Sequence, residues 1–208
     1  MVPPGKEIYR TSAFQQQGYS KLIDKRLPNS DQIVTVYERR NGVCAALTAL
    51  WIRKTLEHGD PTQFNHLNDH MYIGISQAAY IFGSFAPRDS SRYNSVQQEK
   101  TLLESNNLQV TSPQIDVYSR KSLTSFLTQM VSNFGCYFFA MEDEKGYGHV
   151  IGFMTGSTGF YLFDANEGLY QSANRNTFIN KNVFYLASDY SNYEGGPIHC
   201  YHCQLEGR

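Results

Sequence analysis

The sequence has no long hydrophobic run. Nothing approaches the ~18 consecutive apolar residues of a membrane-spanning helix, so no stable membrane insertion is expected. A surplus of one charge is missing too: 18 Lys and Arg against 19 Asp and Glu leave a net charge of −1. That balance removes the bulk electrostatic attraction on which nucleic-acid binding and adhesion to anionic membranes rest. The opening Met1-Val2-Pro3-Pro4-Gly5-Lys6-Glu7 lacks the apolar core of a signal peptide. It reads as a linker, or as a boundary from which residues upstream of Met1 were removed. Cysteine is scarce: Cys44, Cys136, Cys200 and Cys203 are too few and too unevenly spaced for a disulfide framework, so they read as reduced thiols in a cytosolic setting. There is no phosphate loop, dinucleotide fingerprint or internal repeat.

The residues that are present fit one globular domain. The length of 208 residues allows a sizeable core, and a hydrophobic share of 41% supplies it. Residues 1–30 are polar and read as an irregular or weakly helical lead-in. Ile33 to Tyr37 is a β-branched run, a short strand or an extended approach to the loop before Cys44. From Val43 to His58 the apolar positions Ala46, Leu47, Leu50 and Trp51 share one helical face, and Gly59 supplies a left-handed stop. Leu67, Met71, Ile75, Ala78 and Phe82 predict a second helix. Ser95 and Gln98 form a capping-box pair for a third, to about Asn106. Leu108 to Thr111 predicts a short strand stopped by Pro113, and Ser122 a cap for a fourth helix closed by Gly135.

The period then changes. Cys136 to Met141 is a continuous aromatic-rich run, the pattern of a strand buried on both sides. Gly148 to Met154 and Phe160 to Asp164 come next, each after a short turn, giving an antiparallel meander. Asn176 is a candidate cap for a last helix carrying Ile179, Val183, Leu186 and Tyr190, and Ile198 to Leu205 is a final strand. Helices first and an antiparallel sheet second imply an α+β fold with the helices on one face.

Cys44 is the residue around which the chemistry gathers. An unpaired cysteine is ordinarily a small apolar filler. This one starts a helix, two residues after Gly42, and the unpaired N–H groups of a helix start favour negative charge on the sulfur. His149 opens one strand after Gly148, and Asp164 closes the next. In adjacent antiparallel strands the start of one lies beside the end of the other, so the two side chains are expected at the same sheet edge. A carboxylate holding an imidazole against a thiol is the arrangement of covalent acyl transfer. The competing readings are a structural histidine for His149 and a turn starter for Asp164.

Gly42-Val43-Cys44-Ala45-Ala46, Gly148-His149-Val150 and Leu162-Phe163-Asp164-Ala165-Asn166 together resemble the YopT-type bacterial effector cysteine proteases, a papain-like family. Ala165 stands where a Pro is usual in that family. The resemblance implies a papain-like α+β domain over residues 31–208, with a central helix carrying the nucleophile packed against an antiparallel β-sheet. It implies Cys44 as nucleophile, His149 as base and Asp164 as orienter, with no metal or cofactor. It implies a protein substrate in a host or target cell, and a virulence effector or toxin secreted by a bacterium without a classical signal peptide and acting in the target-cell cytoplasm. The same site chemistry also serves glutamine deamidation and acyl transfer, and a non-enzymatic interaction module with a core Cys44 is the third reading. Asn41 and Gln32 are the side-chain amides available to an oxyanion site, and Asn41 is equally the first half of an Asn-Gly turn.

Two further groups invite a metal reading. His199-Cys200-Tyr201-His202-Cys203 offers zinc-type ligands, but in a strand residues three apart point to opposite faces. His66 and His70 share a helical face without a third ligand, and with His58 they read as solvated surface, as does Arg39-Arg40. Substrate identity and oligomeric state are not encoded in these patterns.

Overall fold

The computed structural model of the chain describes residues 9–13, 44–62, 73, 76, 91–143 and 148–207. The elements, in chain order, are β1 (Tyr9–Ala13), α1 (Cys44–His58), α2 (Ser91–Ser105), β2 (Leu108–Val110), β3 (Gln114–Val117), α3 (Arg120–Ser132), β4 (Gly135–Glu142), β5 (Gly148–Gly156), β6 (Gly159–Asp164), β7 (Gly168–Ser172), α4 (Arg175–Asp189) and β8 (Pro197–Leu205). All strand pairings are antiparallel, in the order β1-β7-β6-β5-β4-β8-β2, with β3 beside β2 on the same edge of β8.

The central strands explain the layering. Along β4, Cys136, Phe138 and Ala140 enter one core with residues of α1 and α2. Tyr137, Phe139 and Met141 enter a second core with Phe126, Leu127 and Met130 of α3 and Phe178 and Leu186 of α4. The expectation of helices on a single face is therefore corrected. A strand apolar at every position must be covered twice, because leaving either face in water forfeits about 1.5–3 kcal/mol for each large side chain exposed.

Helix α1 is the centre of the first core. Ala45, Ala46 and Ala49 are strong helix formers, and every residue from Cys44 to Ile52 is buried. The helix packs chiefly on β5. It approaches closely because Gly152 has no side chain: a Cβ there would lie 2.7 Å from Cε3 and Cζ3 of Trp51. Trp51 stacks on Phe163 with ring centroids 5.2 Å apart, and its indole N–H donates to the Pro61 carbonyl at 2.9 Å. Gly59 ends the helix at φ +70, its N–H bonded to Thr55 O at 2.7 Å, as the sequence predicts.

Several boundaries differ from the sequence reading. Helix α2 begins at Ser91, four residues before the predicted cap; Ser95 is buried inside it, with its hydroxyl toward Glu142 Oε2 at 3.4 Å. The cap of α3 is Ser119, and Ser122 is its partner in a reciprocal capping box. The cap of α4 is Asn174, whose side chain accepts from Thr177 N at 2.9 Å, and not Asn176. Strands β3 and β7 were not expected, nor was β1 within the polar lead-in; each is short and gains its order from the backbone ladder of a neighbour, which leaves no apolar pattern to read. The predicted run Ile33 to Tyr37 lies outside the described residues. So does most of the predicted helix Leu67 to Phe82, of which Ile73 and Ser76 are described and helical.

Candidate active site

The strand register sets two of the three predicted residues. Asp164, the last residue of β6, pairs with Ile151 of β5, and His149 is two residues from Ile151 on the same strand face. Diagonal neighbours at that spacing are within side-chain reach. His149 Nε2 and Asp164 Oδ1 are 3.1 Å apart. The third residue, Cys44, is the first of α1, and its sulfur is close enough to the His149 ring to act on its charge. With Nε2 turned to Asp164, Nδ1 is the ring nitrogen left for the sulfur. The structure thus brings Cys44, His149 and Asp164 together, at 5%, 4% and 0% exposure. In so dry a site, charges act on one another with little screening.

The electrostatics derive from that burial. Desolvation alone depresses the His149 imidazolium, but the negative charge of Cys44 as a thiolate, with the hydrogen bond and charge of Asp164, outweighs it and raises the pKa from 6.5 to about 10. Burial pushes the Asp164 carboxyl up, and the hydrogen bond and charge of His149 together with two phenol donors hold it below its ordinary value. Those donors are Tyr185 at 2.7 Å and Tyr190 at 2.6 Å, both to Oδ2.

Asp164 makes the contacts of a turn starter as well as the contact to His149. Its Oδ1 accepts from the Asn166 backbone N–H at 2.8 Å, and its carbonyl accepts from Glu167 N at 3.1 Å, so it starts the turn into β7 and also holds the histidine. Gly168, at φ +119, closes that turn in a conformation L side chains avoid.

The phenols were missed. Tyr190 reads from sequence as the last apolar position of the final helix, and it is buried there, yet its hydroxyl lies 3.0 Å from His149 Nε2 and its ring stacks on the imidazole at 4.9 Å. The available signal was chemical, since a buried tyrosine needs a partner for its hydroxyl. Tyr193, in the short 3-10 turn Ser191–Tyr193, also faces the sulfur; burial and the Cys44 charge push its hydroxyl up to about 12.

Asn41, Gln32, Arg39, Arg40, His66 and His70 lie outside the described residues. In β8, Cys203 enters the core under α1 and Cys200 the core under α3, so the Cys-x-x-Cys pair is split across the sheet as strand alternation predicts. Among the described residues, no three His, Cys, Asp or Glu side chains are grouped to hold a metal, and no helix is long and apolar enough to cross a membrane. His199 instead contacts Glu99 Oε2 at 2.9 Å in the first core, where Tyr201 also donates to Glu99 at 2.7 Å. A cavity of about 280 Å³, lined by Gln129, Met130, Tyr137, Cys200 and His202, lies between α3 and β8 and contains none of the three site residues.

No protein-family model matches the chain, and no curated protein matches it in sequence. Among solved structures, the chain is similar to the Pseudomonas avirulence protein AvrPphB: TM-score 0.65 and 19% identity, over 80% of this chain and 94% of that one. That neighbour has the papain-like fold. So does this chain. The α+β expectation, a nucleophile-bearing helix packed on an antiparallel sheet, holds, and the resemblance drawn from three short windows holds at the level of the fold.

Proposed function

We propose that the chain is a papain-like cysteine protease. The observation that carries this reading is the His149 ring, engaged by Asp164 on one side at 3.1 Å and by the Cys44 sulfur on the other. Cys44 as a thiolate attacks a peptide carbonyl carbon, and the C–O π electrons move to the oxygen. The imidazolium of His149 passes its proton to the departing amine as the C–N bond breaks, leaving a thioester. Water then attacks the thioester, His149 takes its proton, and the thiol is released with the acid product. Asp164 keeps the imidazole turned toward the sulfur throughout. The backbone N–H at the start of α1 is one oxyanion donor. None of these steps draws on a metal or cofactor.

The substrate is a protein of a host or target cell, reached after secretion from a bacterium and cut in the target-cell cytoplasm. The fold shared with AvrPphB, a Pseudomonas avirulence protein, supports this setting. So do the four free cysteines, which suit a reducing compartment.

The test begins with the thiol. Iodoacetamide labelling mapped by peptide mass spectrometry should modify Cys44 in preference to Cys136, Cys200 and Cys203; burial raises those three thiols, Cys136 to about 12. The preference should disappear in His149→Ala. Incubation with a target-cell lysate, with Cys44→Ala as control, should then yield new protein termini. Products heavier by one dalton and uncut would replace proteolysis by deamidation, and a Cys44 that labels no faster than the other three would remove the enzyme reading.

A further inference from the structure

We infer that Tyr190 and Tyr185 are positioning residues of the triad: their hydroxyls close one oxygen of Asp164 so that only the other is offered to His149, and the Tyr190 ring holds the imidazole flat. The inference rests on the thiol-hydrolase reading above and adds two residues to its machinery.

Both carboxylate oxygens of Asp164 are fully engaged. Oδ1 receives His149 Nε2 at 3.1 Å and Asn166 N at 2.8 Å. Oδ2 receives the Tyr190 hydroxyl at 2.6 Å and the Tyr185 hydroxyl at 2.7 Å. A carboxylate with no solvent exposure has no water to replace a lost donor, so each phenol bears directly on its charge. Tyr190 also reaches the histidine: its oxygen lies 3.0 Å from Nε2, and Asn166 Nδ2 donates to the same oxygen at 3.4 Å. An Nε2–H between Asp164 and Tyr190 leaves Nδ1 as the basic nitrogen facing Cys44. The two rings are inclined by 12°, which restrains rotation of the imidazole.

The phenols are themselves fixed. Tyr190 caps α4 through its N–H to Leu186 O at 3.1 Å, and the Tyr185 ring meets it edge-on at 5.8 Å. The groups facing Asp164 and its histidine are thus Cys44 from α1, His149 from β5, Tyr185 and Tyr190 from α4, and Tyr193 from the turn after α4, with the Asp143 and Asp164 charges also acting on Tyr193.

The direction of donation fixes the sign of the effect. Two donors that stabilise the carboxylate keep its pKa low, so removing them lets Asp164 take a proton at higher pH. A neutral Asp164 no longer supports the imidazolium, and the acid limb of Cys44 reactivity rises with it. Hydrogen bonds to charged groups of this kind correspond to roughly one pH unit, or tenfold, each.

The test uses the full chain with Tyr185→Phe, Tyr190→Phe and the double variant, which keep both rings and the core volume. Two quantities are measured: the titration of the Asp164 carboxyl carbon by ¹³C NMR, and the pH profile of Cys44 alkylation by iodoacetamide. The expected result is an upward shift of both in each single variant, larger in the double, with the thermal unfolding transition retained. An Asp164 titration that does not move overturns the inference. A titration that moves while the alkylation profile stays put also overturns it, since the phenols then support the carboxylate without positioning the triad. Failure of the underlying reading is separately visible: in that case His149→Ala leaves the alkylation profile of the otherwise unaltered chain unchanged.

Discussion

Replacing Gly152 with Ala tests the link between the sheet and the site. The added Cβ would lie 2.7 Å from two ring atoms of Trp51 and 3.2 Å from Thr48 Cγ2, where ordinary contact begins at 3.4 Å. The indole must retreat by at least 0.7 Å (3.4 − 2.7). It has little room to do so, being buried, stacked on Phe163 and bonded to Pro61. The strain therefore passes to α1, which carries Cys44 as its first residue, seven positions (51 − 44) before Trp51. Overpacking of this kind costs about 1–3 kcal/mol. Removing a glycine from a strand offsets about 0.5–1 kcal/mol of that. A net loss near 1.5 kcal/mol corresponds to a fall in Tm of about 3–6 °C for a chain of this size. Thermal unfolding followed by circular dichroism reads the first effect. The rate of Cys44 alkylation at pH 7 reads the second, and it should drop several-fold as the sulfur shifts against His149. Trp51→Phe lacks the clashing atoms, so the double variant should lose about 1 kcal/mol less than the two single losses added together. A Gly152→Ala protein with an unchanged Tm and unchanged alkylation would refute the proposed coupling between β5 and the sulfur.

Three other outcomes are expected. Asp164→Asn removes the charge that orients His149 and should slow Cys44 alkylation at pH 7 by about 10²-fold or more, measured by stopped-flow with the unfolding transition as control. The His149 pKa is raised in the folded state, so its contribution to stability is fully present below 6.5 and is lost as pH rises through about 10; denaturant midpoints should fall across that window in the wild type and not in His149→Ala. Glu99→Leu removes the buried acceptor shared by His199 and Tyr201 and should cost about 1–3 kcal/mol in urea unfolding.

Much of this architecture is local and was therefore legible. Helix α1 is written in its alanines and in Gly59, and the meander in the change from helical period to continuous apolar strands with short turns. The juxtaposition of His149 and Asp164 arises from antiparallel neighbours joined by one tight turn. Where local reasoning erred, a neighbouring element had decided the matter. Ser95 resembles a cap but is buried under β4 beside Glu142, and Ser122 is the third residue of its helix because Ser119 is better placed to begin it. Strands β1, β3 and β7 exist because an adjacent strand offers a ladder, and their own residues carry little pattern.

By itself, the sequence determined where three candidate site residues stand: a cysteine at a helix start, and a histidine and an aspartate at facing strand ends. Those depend on short-range spacing, which backbone geometry converts directly into position. Only the tertiary structure decided what surrounds them. That the Asp164 carboxylate is shared with Tyr185 and Tyr190, that His199 belongs to Glu99, and that a glycine in β5 sets the depth of α1 are contacts between distant segments, fixed when the two cores pack and not by any local pattern.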